Sequence, residues 1–184
     1  MQPKKLIQNV LGTLKKNIIQ FGGLSIGNHN FEFQIDDTFF ENFEYSEIKK
    51  GNIIVNISLE KQETMLILSF NINGNVNIIC DRCSDFFDIP VSTNEQLIIK
   101  FGDEDFEETD DILVIPFTEH KIDLTHLIYE YINLSLPIKR VHPDDKQGKP
   151  TCNPEIIKII EGLSEKESTD HRWDALKKLK TKTK

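Results

Sequence analysis

Cys80-Asp81-Arg82-Cys83 sets two thiols at a spacing that lets both sulfurs reach one metal ion. The chain has one further cysteine, Cys152, far along the sequence. A structural zinc takes four protein ligands in a tetrahedron. His142 supplies the fourth donor, with nine residues between it and Cys152. Both lie between Leu136 and Asn153, a stretch whose Pro143, Gly148 and Pro150 can fold it back on itself. Three thiolates and one imidazole leave no position for water, so such an ion would be structural rather than catalytic. The same spacing also admits a plainer reading, in which the thiols are incidental and the histidine lies on the surface.

A redox pair is the rival use of C-x-x-C. Redox pairs place the first cysteine at a helix N-terminus, which lowers its pKa. Here Val76–Ile79 and Phe86–Val91 flank the pair with strand-like sequence, so that reading is disfavoured. Hydrolytic chemistry finds no support. There is no Gly-x-Ser-x-Gly elbow and no phosphate-cradling glycine loop. His29, His120, His126 and His171 have no evident catalytic neighbours in sequence. Seven acids fall within residues 103–111, but the spacing and glycine of an EF-hand are missing, so the block reads as a solvated loop.

The elements that would position the four ligands follow from periodicity. Residues 4–19 carry Leu6, Ile7, Val10, Leu11, Leu14 and Ile18 at helical spacing among lysines. From Phe31 the period changes to two, through Phe31–Ile35, Ile53–Leu59 and Met65–Ile72. The polar Glu60–Glu63 suggests an antiparallel hairpin. Gly74-Asn75 reads as a turn into Val76–Ile79, and Phe86–Val91 with Glu95–Phe101 as another hairpin. Ile112–Ile115 is a short strand. Asp123 reads as the N-cap of a helix carrying Leu124, Leu127, Ile128, Tyr131 and Ile132, which Pro137 stops. Asn153-Pro154 opens a short helix through Ile160, Gly162–Thr169 is a polar linker, and Asp170 caps a last helix with Trp173, Leu176 and Leu179. The expected class is α+β, a mainly antiparallel sheet with peripheral helices: one N-terminal and two short C-terminal. The expected units are a basic amphipathic extension over residues 1–16, an α+β domain over 17–163, and a linker with a basic helix over 164–184.

Length and composition set the outer bounds. At 184 residues the chain suits one domain with tails. No apolar run is long enough to span a bilayer, and the N-terminus lacks a secretory pattern. An odd cysteine count argues against a disulfide framework, so a reduced cytoplasmic setting is expected. The net charge of -8 is unevenly placed. Residues 1–16 and 172–184 together hold ten of the 22 bases and one of the 30 acids. An acidic body with basic ends suits local phosphate contacts or a basic protein partner better than broad coating of nucleic acid. Arg172, Trp173, Lys177, Lys178 and Lys180 are the candidate contact residues. Trp173 also reads as the anchor of its helix to the body.

Several of these pieces, in this order, resemble the bacterial YceD family of large-subunit ribosomal RNA accumulation proteins. The resemblance runs from about Gln20 to Lys180. It rests on the Cys80–Cys83 motif after a strand, on Ile128–Pro137, on Val141-His142-Pro143, on Cys152, and on Asp170–Leu179. The family has Pro after the Asp of the last motif, where this chain has His171. Many relatives carry extra cysteines near the last one; here only Cys152 is present, which leaves His142 as the fourth ligand. Residues 1–16 fall outside the resemblance. It implies a cytoplasmic, non-enzymatic factor for accumulation of large-subunit ribosomal RNA. Cys80, Cys83, His142 and Cys152 would hold one structural zinc, and the partner would be that RNA or a basic ribosomal protein. The alternative is a zinc-stabilised protein-interaction module with no ribosomal role.

Overall fold

The structure is a computed structural model and describes residues 17–102, 111–164 and 172. In chain order the elements are β1 (Ile18–Ile19), β2 (Gly27–Ile35), α1 (Asp37–Phe40), β3 (Lys50–Lys61), β4 (Met65–Ile79), β5 (Phe86–Phe101), β6 (Ile112–Ile115), β7 (Ile122–Asp123), α2 (Thr125–Leu134) and α3 (Pro154–Ser164). Among the described residues, β2-β3-β4-β5-β6 form one sheet in that order, and β1 pairs with β7. All neighbours are antiparallel except β5 and β6, which run parallel. The class is α+β with a mixed, mostly antiparallel sheet.

Alternation explains which face is buried. Ile53, Val55, Ile57 and Leu59 of β3 and Leu66, Leu68, Phe70 and Ile72 of β4 are buried, while their in-between neighbours face the other side. Helix α2 lays Ile128, Tyr131 and Ile132 on this apolar face, with Tyr131 edge-on to Phe70. Phe39 and Phe40 of α1, together with Phe43, extend the same core. The other face is polar, and asparagines bond across it, Asn71 to Asn94 at 2.7 Å.

Several sequence expectations need correcting. Gly74-Asn75 is no turn: β4 runs unbroken from Met65 to Ile79. A Cβ at Gly74 would sit 2.2 Å from the Asn52 carbonyl oxygen, so the glycine serves close strand approach. The second expected hairpin is likewise a single 16-residue strand, β5. Among the described residues its Pro90 lies where β5 pairs with a strand on one side only, a position that tolerates proline. Ile18, expected on the N-terminal helix, is in β1, paired with Asp123; residues 1–16 lie outside the described residues. Helix α2 starts at Thr125 with Leu124 at the N-cap, so Asp123, expected there, lies one position before it; its Oδ1 still accepts the Thr125 amide at 2.9 Å. Helix α3 continues to Ser164, so Gly162 is helical rather than linker. Among the described residues no helix is long and apolar enough to cross a membrane.

Candidate metal centre

The site begins where β4 ends. Cys80 is the residue after the strand, and the chain reverses at once into β5. The Cys80 amide donates to the Asp85 carbonyl and the Ser84 amide to the Cys80 carbonyl, each at 2.9 Å. Ser84 takes the left-handed conformation (φ 61°) that closes the turn. Inside the turn the Arg82 amide points at Cys80 Sγ, 3.4 Å away. The geometry turns the thiols of Cys80 and Cys83 inward, and both are buried.

A second loop brings the other two ligands. After α2 the backbone meets the turn in a two-way clasp. The Asp81 amide donates to the Arg140 carbonyl, and the Arg140 amide donates to Asp81 Oδ2, both at 2.7 Å. Two residues on, His142 faces the thiols. The loop then closes on itself. Thr151 Oγ1 donates to the Pro143 carbonyl at 2.6 Å, Asp144 bridges to Pro150, and Asp145 Oδ1 accepts the amides of Gln147 and Lys149. Cys152 therefore returns beside His142, and Asn153 follows as the cap of α3, its Oδ1 accepting the Glu155 amide.

The four ligand atoms lie within 4.8 Å of one another. Cys80 Sγ and Cys152 Sγ are 3.8 Å apart, Cys83 Sγ and His142 Nδ1 3.4 Å, and Cys152 Sγ and His142 Nδ1 3.7 Å. A tetrahedral ion with metal–sulfur bonds of about 2.3 Å and metal–nitrogen bonds of about 2.05 Å has S···S edges of about 3.8 Å and S···N edges of about 3.6 Å. These three edges lie within about 0.2 Å of those values, and the other three are no longer than 4.8 Å. All three cysteines are free thiols, and a disulfide would need its sulfurs at about 2.05 Å. The donor set fits a divalent metal.

Electrostatics agrees. Burial raises the Cys80 thiol, but hydrogen bonds from the backbone of Cys83, Arg82 and His142 outweigh it and bring the pKa from 9.0 to about 6. Cys152 is pushed up, first by burial and then by its hydrogen bonds with Cys80 and Cys83 and their charge. Three sulfurs this close cannot all ionise cheaply without a cation between them. Two nearby groups bear on the cluster. The Arg82 guanidinium lies 3.9 Å from Cys152 Sγ, and the Phe87 ring packs on the His142 ring at a centroid distance of 4.6 Å.

The sequence-predicted ligands Cys80, Cys83, His142 and Cys152 are thus brought together as a cluster able to hold a metal. Of the candidate partner contacts, Arg172 is described and exposed, while Trp173, Lys177, Lys178 and Lys180 lie outside the described residues. Sequence reasoning missed the Asp81–Arg140 clasp, which runs largely through backbone atoms. It also missed Phe87, although the alternation of β5 places it on the buried side.

The family model of the large ribosomal RNA subunit accumulation protein YceD matches residues 68–180. The chain belongs to the YceD family. The matched span takes in most of β4, the metal cluster and both later helices, and leaves β1 to β3 outside it. No curated protein and no solved structure matches the chain.

Proposed function

We propose that this YceD family member is a non-enzymatic accessory factor in the accumulation of large-subunit ribosomal RNA, with one structural zinc at Cys80, Cys83, His142 and Cys152. The observation that carries the reading is the family match, whose span contains all four cluster residues. Zinc is favoured among divalent metals by the sulfur-rich donor set and tetrahedral edges. When bound, the ion supplies charge to stabilise the thiolates and ties the β4–β5 turn to the segment leading into α3. With four protein donors it leaves no open position, which supports a role in structure rather than catalysis. Three thiols without a disulfide suit a reducing cytoplasm.

The partner is large-subunit ribosomal RNA, held by the basic C-terminal residues Arg172, Lys177, Lys178 and Lys180. Gradient sedimentation of lysate tests this. Co-migration with large-subunit precursors, lost on nuclease treatment and weakened by salt, is the expected result. Co-migration that survives nuclease would move the contact to a basic ribosomal protein on the acidic body. Sedimentation only as free protein, at low salt and after mild cross-linking, would sink the ribosomal reading.

That last outcome would favour the second reading, a zinc-stabilised protein-interaction module. One observation supports it. Ile79 and Phe86, opposite each other on β4 and β5, are 49% and 59% exposed and line a cavity of about 540 Å³ beside Cys80.

A further inference from the structure

Strand β2 is an edge of the main sheet. It pairs with β3 over nine residues, and among the described residues no strand pairs with its other side. Such an edge is a template for a further strand, and proteins ordinarily blunt it with proline, lysine or a bulge. Among the described residues the far side of the sheet is blunted in that way: β5 carries Pro90, and only its last four residues pair with the short β6. Strand β2 has none of these devices. Gly27–Ile35 holds no proline and no lysine, and its register with β3 runs one-to-one throughout, without a bulge.

The strand that fits this edge is a second copy of β2. Phe31 and Phe33 lie on the core face, opposite Ile57 and Val55 of β3. Those β3 residues are buried, while both phenylalanines keep part of their surface exposed, so the apolar face runs on to the edge. Two copies laid antiparallel about a two-fold axis normal to the sheet keep that face on one side. All nine residues overlap in a single such register, centred on Phe31. There Phe31 meets Phe31 of the second copy, Phe33 meets its His29, and Glu32 meets its Asn30. Aromatic rings face one another on the core side. On the polar side the strand's one carboxylate faces an amide that can donate to it. Centring one residue later would set Glu32 against Glu32 of the second copy, where like charges repel.

We propose that β2 is a self-pairing edge: two copies of the chain join β2 to β2 antiparallel, in register about Phe31, into one continuous sheet. The outward amides and carbonyls of each strand then satisfy those of the other, and the two apolar faces become one. No residue of the metal cluster lies on β2, and β2 lies outside the span that the family model matches. The pairing therefore needs neither the metal nor the ribosomal role.

Sedimentation velocity of the full-length protein over a concentration series tests this, alongside Asn30→Glu and the double variant Asn30→Glu/Glu32→Lys. Asn30 and Glu32 are both exposed in the single chain, so neither change touches the core, and circular dichroism checks the fold. The wild type is expected to sediment at twice the chain mass and to dissociate on dilution. Asn30→Glu sets carboxylates against each other at two symmetric places and should raise the dimer dissociation constant by about tenfold. The double variant puts opposite charges there and should restore the dimer. Hydrogen exchange gives a readout in the unaltered protein: the outward amides of β2 should lose protection on dilution, while those of β4 do not change. A wild type that stays monomeric throughout the series would overturn the proposal. So would a dimer that Asn30→Glu leaves intact, or β2 amides indifferent to dilution, since the contact would then lie elsewhere. A dimer weakened by Asn30→Glu and not recovered in the double variant would overturn the register about Phe31.

Discussion

β3 and β4 bury nearly every second side chain over twelve and fifteen residues, whereas between Leu136 and Asn153 only Cys152 is buried. The two regions touch at the β4–β5 turn yet cohere for different reasons. The sheet has a full ladder of backbone bonds and a continuous apolar face. The loop has a two-way clasp at Asp81 and Arg140, a few internal turn bonds, and two residues of a cluster able to hold a metal. Too little apolar surface is buried there to offset the entropy of ordering some eighteen residues at about 1–2 kcal/mol each. The difference teaches that a metal held by the cluster would serve the loop first and the sheet hardly at all.

Metal removal is the strongest way to break that contrast. Binding of zinc to small cysteine and histidine sites is linked to folding by about 10–16 kcal/mol near neutral pH. Chelation, or Cys152→Ser, is expected to abolish stoichiometric metal and to collapse hydrogen-exchange protection across residues 136–153. Protection in β3 and β4 should stay within experimental error. Equal loss in both regions would show that the loop and the sheet unfold as one unit.

The reverse experiment acts on the core. Phe70 is buried on β4 with its ring edge-on to Tyr131 of α2 at 5.2 Å. Phe70→Ala should lower the stability of the sheet by about 3–5 kcal/mol. Metal stoichiometry below the unfolding transition should be unchanged, since Phe70 supplies no ligand and its ring packs on Tyr131 of α2. Urea denaturation followed alongside zinc release would check this; zinc leaving well before the sheet unfolds, more readily than in the wild type, would count against independence.

Acidity sharpens the comparison in the metal-free protein. Cys80 is depressed from 9.0 to about 6, so as a thiolate it favours the closed loop. That contribution is fully present above pH 9, is lost progressively as the pH falls, and is gone below about pH 6. Cys152 is raised, so it favours the closed loop while protonated and opposes it once the pH climbs above 9. The residual protection that the loop keeps without metal, corrected for intrinsic exchange rates, is therefore expected to rise from pH 6 toward 9 and to fall beyond. A flat profile would show that the two thiols do not govern closure.

What could be read from the sequence follows the same division. The strands around Ile53–Leu59 and Met65–Ile72 were legible because alternation with a period of two leaves a mark that survives any neighbour. The gathering of Cys80, Cys83, His142 and Cys152 was legible because cysteine is scarce here and C-x2-C sets two thiols side by side locally. Gly74 was misread because a glycine needed for close approach looks the same in sequence as a glycine needed for a turn. Helix α1, at four residues, is too short to show a helical period. The parallel pairing of β6 with β5 depends on a path through space that no local pattern encodes. The clasp left no trace at position 140, because its amide and carbonyl belong to the backbone and most residues could supply them.

That clasp gives the smallest and most discriminating prediction. Asp81 contributes both an amide and a carboxylate oxygen, and only the carboxylate contact to the Arg140 amide is removed by Asp81→Ala. A hydrogen bond to a charged acceptor contributes about 1.5–3 kcal/mol in protected surroundings, and this one is exposed, so about 1 kcal/mol is expected. The metal should still bind with the same stoichiometry, because no ligand has changed. Its dissociation into a chelator should quicken by about fivefold to tenfold, the factor that corresponds to 1 kcal/mol or slightly more. Sheet stability should not move. An unchanged dissociation rate would mean that the ion alone holds the loop and the clasp merely follows. A loss of metal outright would mean that the clasp must form before His142 can reach the thiols.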